Sequence, residues 1–110
     1  IRVGDGDLLV EGAVLRAAPG GFATSAELVV FTTNQPGLTA ASAAAGIGAA
    51  TTAYAIGDAR LFAVDNGVSS AVFLFTAANA DALVSAGELT LIATLGATPA
   101  TALADYIFVT

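Results

Sequence analysis

Arg60-Leu-Phe-Ala-Val-Asp65-Asn-Gly67-Val-Ser-Ser70-Ala-Val-Phe-Leu-Phe-Thr76 is the stretch that decides the fold. Asn66-Gly67 favours the positive φ values of a type I′ turn, so Arg60 to Asp65 and Val68 to Thr76 are predicted to pair as antiparallel strands. Pairing around that turn puts Phe62, Val64, Ala71, Phe73 and Phe75 on one face. Leu61, Ala63, Val68, Val72 and Leu74 fall on the other. Both faces are apolar, whereas a sheet with one face in water alternates apolar and polar residues. The hairpin is therefore expected in the interior, with helices or another copy of the chain covering one of its sides.

Towards the N-terminus, Asp7 to Ala17 is an apolar run broken by Glu11-Gly12, which reads as a bent or bulged strand. Pro19-Gly20-Gly21 marks a turn. Glu27 to Thr33 is β-branched and aromatic at strand length, and Asn34-Gln35-Pro36-Gly37 ends it. Thr39 to Tyr54 is rich in alanine, the best helix former, with Thr39 as its N-cap. Ala41, Ala45, Gly48 and Ala49 are small enough to let that helix approach a sheet or another helix closely. No charge stands between Leu28 and Gly57, but the large apolar residues within Leu38 to Ile56 are only Leu38, Ile47, Tyr54 and Ile56. That composition favours a packed helix over a membrane span.

On the C-terminal side, Ser85 and Glu88 fit a capping box opening a helix that Gly96 stops. Tyr106 to Val109 reads as a last strand. The expected architecture is a single α+β domain over residues 1–110, with a strand-and-turn region at 1–35 ahead of the remainder at 36–110. Its antiparallel sheet draws on 8–16, 27–33, 60–65, 68–76 and 105–109, with two packed helices at 39–54 and 86–95.

Composition narrows the chemistry. The 110 residues are 56% hydrophobic and 11% charged, and 27 of them are alanine. Such a chain is the opposite of one that stays unfolded. Without His or Cys there is no conventional zinc site, no Ser-His-Asp or Cys-His catalytic group and no disulfide framework. Three arginines against nine carboxylates give a net charge of −6, which argues against a nucleic-acid surface. The serines lack a base and Gly-x-Ser-x-Gly is absent, so an enzyme is not expected. The chain opens at Ile1 with no basic and apolar leader, and is expected to be processed or excised from something longer.

Two groups of residues stand out. Asp5 and Asp7, in Gly4-Asp5-Gly6-Asp7, place closely spaced carboxylates in a glycine-rich turn and could offer hard oxygens to calcium, although the same residues also read as a plain polar turn. Asp58, Asp65 and Asp81 stand next to turns or strand ends; they could join a second cation site in the fold, but read by default as solvated. Ile1 to Val3 and Tyr106-Ile107-Phe108-Val109 are short apolar segments suited to pairing with a neighbouring subunit by strand addition; Ile1, Val3 and the four C-terminal residues are the candidate assembly positions.

The part from Ala53 onward resembles the C-terminal region of secreted bacterial proteins of the RTX (repeats-in-toxin) and surface-layer type, including the bluetail surface-protein domain. The matching segments are Ala53-Tyr-Ala-Ile-Gly-Asp58, Leu61-Phe-Ala-Val-Asp-Asn-Gly67, Ser70-Ala-Val-Phe-Leu-Phe-Thr76, Ala80-Asp-Ala-Leu-Val-Ser85 and Glu88-Leu-Thr-Leu-Ile-Ala-Thr-Leu95, closing with Ala104-Asp-Tyr-Ile-Phe108. The resemblance implies export by type I secretion machinery through an uncleaved C-terminal signal, and residence at the cell surface or in the extracellular matrix. The calcium repeats usual upstream in that family are missing here beyond the fragment at Gly4.

Taken together, these features lead to the expectation of a secreted extracellular structural protein. It self-associates through strand edges, as a homo-oligomer or homopolymer, into a fibre, lattice or matrix, with calcium as a possible ligand, no nucleic-acid partner and no membrane span. The alternative is a C-terminal secretion and folding module of a larger type I-secreted surface protein.

Overall fold

The computed structural model describes residues 12–96. They form a five-stranded sheet whose spatial order follows the chain: β1 (Val14–Arg16), β2 (Leu28–Phe31), β3 (Ala59–Asp65), β4 (Ser70–Thr76) and β5 (Leu89–Leu95). A helix, α1 (Ala40–Ile47), lies between β2 and β3, and a 3₁₀ turn at Ala86–Glu88 leads into β5. Positions 8–11 of the first expected strand and the whole strand at 105–109 lie outside the described residues.

The β3–β4 hairpin forms as its residues require, with one change in its loop. Asp65 pairs with Ser70 and Phe62 with Phe73, leaving a four-residue connection over Asn66–Ser69 instead of the two-residue turn. Gly67 does take a positive φ of 89°. The Asn66 side-chain oxygen accepts from the N–H groups of Val68 (3.0 Å) and Ser69 (2.8 Å), closing the longer loop. The register has moved by two residues, so every side chain keeps its face. Phe62, Val64, Ala71, Phe73 and Phe75 join the larger core, while Leu61, Ala63 and Val72 lie in a second cluster on the opposite face. Val68, in the loop, is exposed.

Both clusters are closed to solvent. Phe22, Phe62 and Phe75 stack edge-on in sequence, with centroids 5.4 and 5.8 Å apart, and Tyr54 lies 4.8 Å from Phe75. On the other face Leu28, Val30, Leu61 and Ala63 are no more than 2% exposed. Ala13, Ala59 and Leu74 pack against them. Over β2 and β3 the second face is thus closed to solvent within one chain.

The sheet is mixed, not antiparallel throughout. β1, β2 and β3 run parallel, and only β3–β4 and β4–β5 are antiparallel. The cause is the crossover: parallel neighbours require a long connection, and the β2–β3 link carries α1 back across one face. Thr39 caps α1 as expected, its hydroxyl accepting from Ser42 N–H at 3.2 Å. The helix is shorter than the alanine content implied, because Gly48 turns out of it at φ 77°. Ala43, Gly46 and Ile47 face the sheet, whereas Ala41 and Ala45 point away from it.

The second expected helix, 86–95, is replaced by strand. Glu88 does reach back to the Ser85 N–H (2.9 Å) as a capping box requires, but the turn it closes is one 3₁₀ turn. β-branched Thr90, Ile92 and Thr94 then favour extended backbone, and β4 offers an unpaired edge to receive them. One helix, not two, therefore packs on the sheet among the described residues.

The end of α1 gathers the connections. Gly20 N–H donates to the Ile47 carbonyl (2.8 Å), Val84 N–H to the Gly48 carbonyl (3.0 Å), and Thr51 N–H to the Phe22 carbonyl (2.9 Å). A Cβ on Gly48 would stand 3.1 Å from Gly20 N and 3.3 Å from the Pro19 side chain. Gly48→Ala is therefore expected to lower stability by about 1–3 kcal/mol, the usual cost of forcing a side chain into a glycine-only conformation, as read by urea unfolding. Phe62→Ala, which empties the middle of the ring stack, is expected to cost about 3–5 kcal/mol in the same assay.

Candidate functional site

The residues singled out for calcium, Asp5 and Asp7, lie outside the described residues, as do Ile1, Val3, Tyr106, Ile107, Phe108 and Val109. What the structure places on view is the outer margin of the sheet at β5, a buried polar cluster under β3, and a cleft beside β1.

β5 has one neighbour, β4, among the described residues. Leu89 is buried, but every residue from Thr90 to Leu95 is exposed. Leu91 (51%), Ile92 (38%) and Leu95 (36%) present apolar surface without a charge between them. The ladder is irregular at one point: Phe73 stands opposite Leu91 and Val72 opposite Ala93, so Ile92 is an extra residue in β5. Protected edges carry lysine, proline, inward charges or bulges, and of these β5 has only the bulge. The opposite margin, β1, is three residues long and exposes Leu15.

The polar cluster is built on Arg60, the first buried residue of β3. Its Nε donates to the Thr24 carbonyl (2.7 Å) and its Nη1 to the Ala59 carbonyl (2.8 Å). The guanidinium carbon lies 5.6 Å from the centre of the Tyr54 ring, a cation–π contact. Asp58 is 3.9 Å from Nη2, but that carboxylate is also occupied by the Ala55 N–H at 3.0 Å. The Tyr54 hydroxyl is buried without a hydrogen-bond partner. Desolvation raises its pKa to about 12, against an opposing pull from Arg60 and a smaller push from Asp58 in the same direction as burial.

Two further acids serve the backbone, and one of them, Asp65, is buried where the sequence led to the expectation of a solvated side chain. Asp65 Oδ1 accepts from Gly67 N–H (3.1 Å), and Glu88 joins Ala78 N–H (2.8 Å) to Ser85 N–H. Asp58, Asp65 and Asp81 are not brought together. No group of three or more potential metal ligands occurs among the described residues. The cleft beside β1, about 390 Å³, is lined by Val14, Leu15, Arg16, Phe22 and Ser25 among others. The Arg16 Nε is buried there without a hydrogen-bond partner.

No family model, curated protein or solved structure matches the chain. Geometry and sequence therefore carry the functional reading. No helix among the described residues is long and apolar enough to cross a membrane.

The β5 margin was missed in the sequence because the capping box at Ser85 suggested a helix. A signal was present: Leu89-Thr-Leu-Ile-Ala-Thr-Leu95 is rich in strand formers and carries no charge.

The raised Tyr54 pKa makes a stability prediction. Between about pH 10 and about pH 12 the unfolded phenol loses its proton while the folded one keeps it, so stability falls as pH rises through that window. Below it the contribution is fully present. Tyr54→Phe removes this part of the fall and, because the hydroxyl has no partner to lose, leaves neutral-pH stability nearly unchanged. Urea unfolding at stepped alkaline pH checks both.

Proposed function

We propose that this chain is a secreted bacterial structural protein that associates with copies of itself into a fibre, lattice or matrix outside the cell. The observation that carries the reading is the β5 margin, a seven-residue strand with a single neighbour among the described residues, exposed Leu91, Ile92 and Leu95 and no charged residue. Exposed strand edges of this kind are templates for another strand. The interior of the sheet supports the same view from the other side. Both faces of the central strands β2 and β3 are already buried within one chain, which leaves edges as the natural place for association.

Composition adds to this. With three arginines and nine acids in 110 residues, few charges oppose close contact of edges, and trypsin-like proteases find few sites. The terminal apolar segments around Ile1 and Val3 and at Tyr106 to Val109 supply further strands for such contacts, and Asp5 with Asp7 supplies a place for calcium. Export through type I secretion machinery follows from the resemblance of Ala53 onward to the C-terminal regions of RTX and surface-layer proteins.

A second reading rests on the same resemblance. The acidic residue followed by apolar ones at Asp105-Tyr-Ile-Phe108 is similar to the terminal motif of type I secretion substrates, which favours a secretion and folding module of a larger protein.

Negative-stain electron microscopy of the purified chain, with physiological calcium and with a chelator, separates the two. Ordered fibres or sheets are expected, and their loss on chelation, reproduced by Asp5→Asn with Asp7→Asn, assigns calcium to that turn. Dispersed single particles under both conditions, together with export of a passenger fused to residues 54–110, would establish the secretion module instead.

A further inference from the structure

We infer that β5 pairs antiparallel with β5 of a second copy, about a two-fold axis passing between Leu91 and Ile92. This specifies the contact within the self-association just proposed and rests on that reading. Three observations select a second copy as the occupant. The strand is uncharged over its whole length, so two like edges meet without repulsion at the seam even though each chain carries a net charge of −6. Its apolar side chains are exposed on it and not on the buried strands, so pairing there removes Leu91 and Ile92 from water.

The third observation is the bulge, which chooses a register. A two-fold axis normal to the sheet keeps like faces on one side. Leu89, Leu91 and Thr94 share the α1 side with Phe75, Phe73 and Ala71, whereas Thr90, Ala93 and Leu95 share the other with Leu74, Val72 and Ser70. The extra residue Ile92 shifts the alternation by one. Setting bulge against bulge then brings Leu91 opposite Ile92 of the second copy, Thr90 opposite Ala93, and Leu89 opposite Thr94. Like faces meet in each regular arm, and the two exposed apolar residues at the centre cover each other. A regular strand laid on this edge would meet the bulge unmatched. A β-bulge that elsewhere defends an edge here specifies its partner.

One strand on one strand lies at the small end of interface sizes, so the pair is weak and reversible. Because it is isologous it closes on itself, and an extended assembly needs a second contact elsewhere on the surface.

The test is sedimentation of the full chain over a wide concentration range. A monomer–dimer equilibrium is expected that tightens with added salt, since screening weakens repulsion between two acidic chains and leaves the uncharged seam untouched. Leu91→Lys, at a position already half exposed, is expected to weaken it at least tenfold with an unchanged far-ultraviolet circular dichroism spectrum. The absence of cysteine allows a direct check of register. Thr90→Cys mixed with Ala93→Cys is expected to give a disulfide-linked dimer under mild oxidation, more than either variant alone, while Ile56→Cys gives none. If the chain assembles but Leu91→Lys and the cysteine pair have no effect, the β5 contact is overturned and self-association stands. A chain that stays monomeric at every concentration and salt overturns both. Slow hydrogen exchange of the outward β5 amides in such a monomer would mean that the chain covers its own edge.

Discussion

The burial of β3 on both faces is the constraint from which the rest of the structure follows. Every residue from Arg60 to Asp65 is buried, and that includes an arginine and an aspartate. A strand in that position needs a neighbour on each side and a cover above and below. β2 and β4 supply the neighbours, and the Phe22–Phe62–Phe75 stack with α1 supplies one cover. Arg60 is engaged by two carbonyls and a tyrosine face, and Asp65 through Oδ1 by the N–H of the loop that follows it, while its Oδ2 is buried without a hydrogen-bond partner.

The long β2–β3 crossover stays compact because its turning point is made of small residues. Gly48 leaves the helix in a conformation closed to side chains, and the Pro19-Gly20-Gly21 turn fits against it within hydrogen-bond distance. The 82–84 segment adds its own backbone bonds to Gly48 and Ala50. Three separate connections are thereby fastened at one place with main-chain contacts alone, which suits a chain with so few long polar side chains.

The hairpin was legible in the sequence because two signals agreed there, a turn dipeptide and uninterrupted strand formers on both sides. Even the error in loop length was harmless to the assignment of faces. Thr39 as a cap was equally clear. Alanine content misled at Thr39 to Tyr54, since propensity sums over a window and does not register a single glycine whose role is set by the turn packed on it. At Ser85–Glu88 the local motif was read correctly and its extension wrongly: a capping box satisfies one turn, and tertiary pairing with β4 decided what came next. Parallel pairing of β1, β2 and β3 leaves no local mark, because it depends on where a crossover lands. The candidate margin at β5 could not be seen until that helix was recognised as strand. Asp5, Asp7 and the terminal apolar segments lie beyond the described residues and stand as sequence expectations.

The two-residue offset in the hairpin has a wider meaning for how this fold can vary. A slip of the pairing by two residues slides one strand past the other while each side chain keeps to its own side of the sheet, so both cores receive the same kinds of group. A slip by one residue would turn Phe73 and Phe75 out of the larger core and bring Val72 and Leu74 in. The pairing of these strands can therefore shift in steps of two and not of one, while residues added within the Asn66–Ser69 loop leave it untouched.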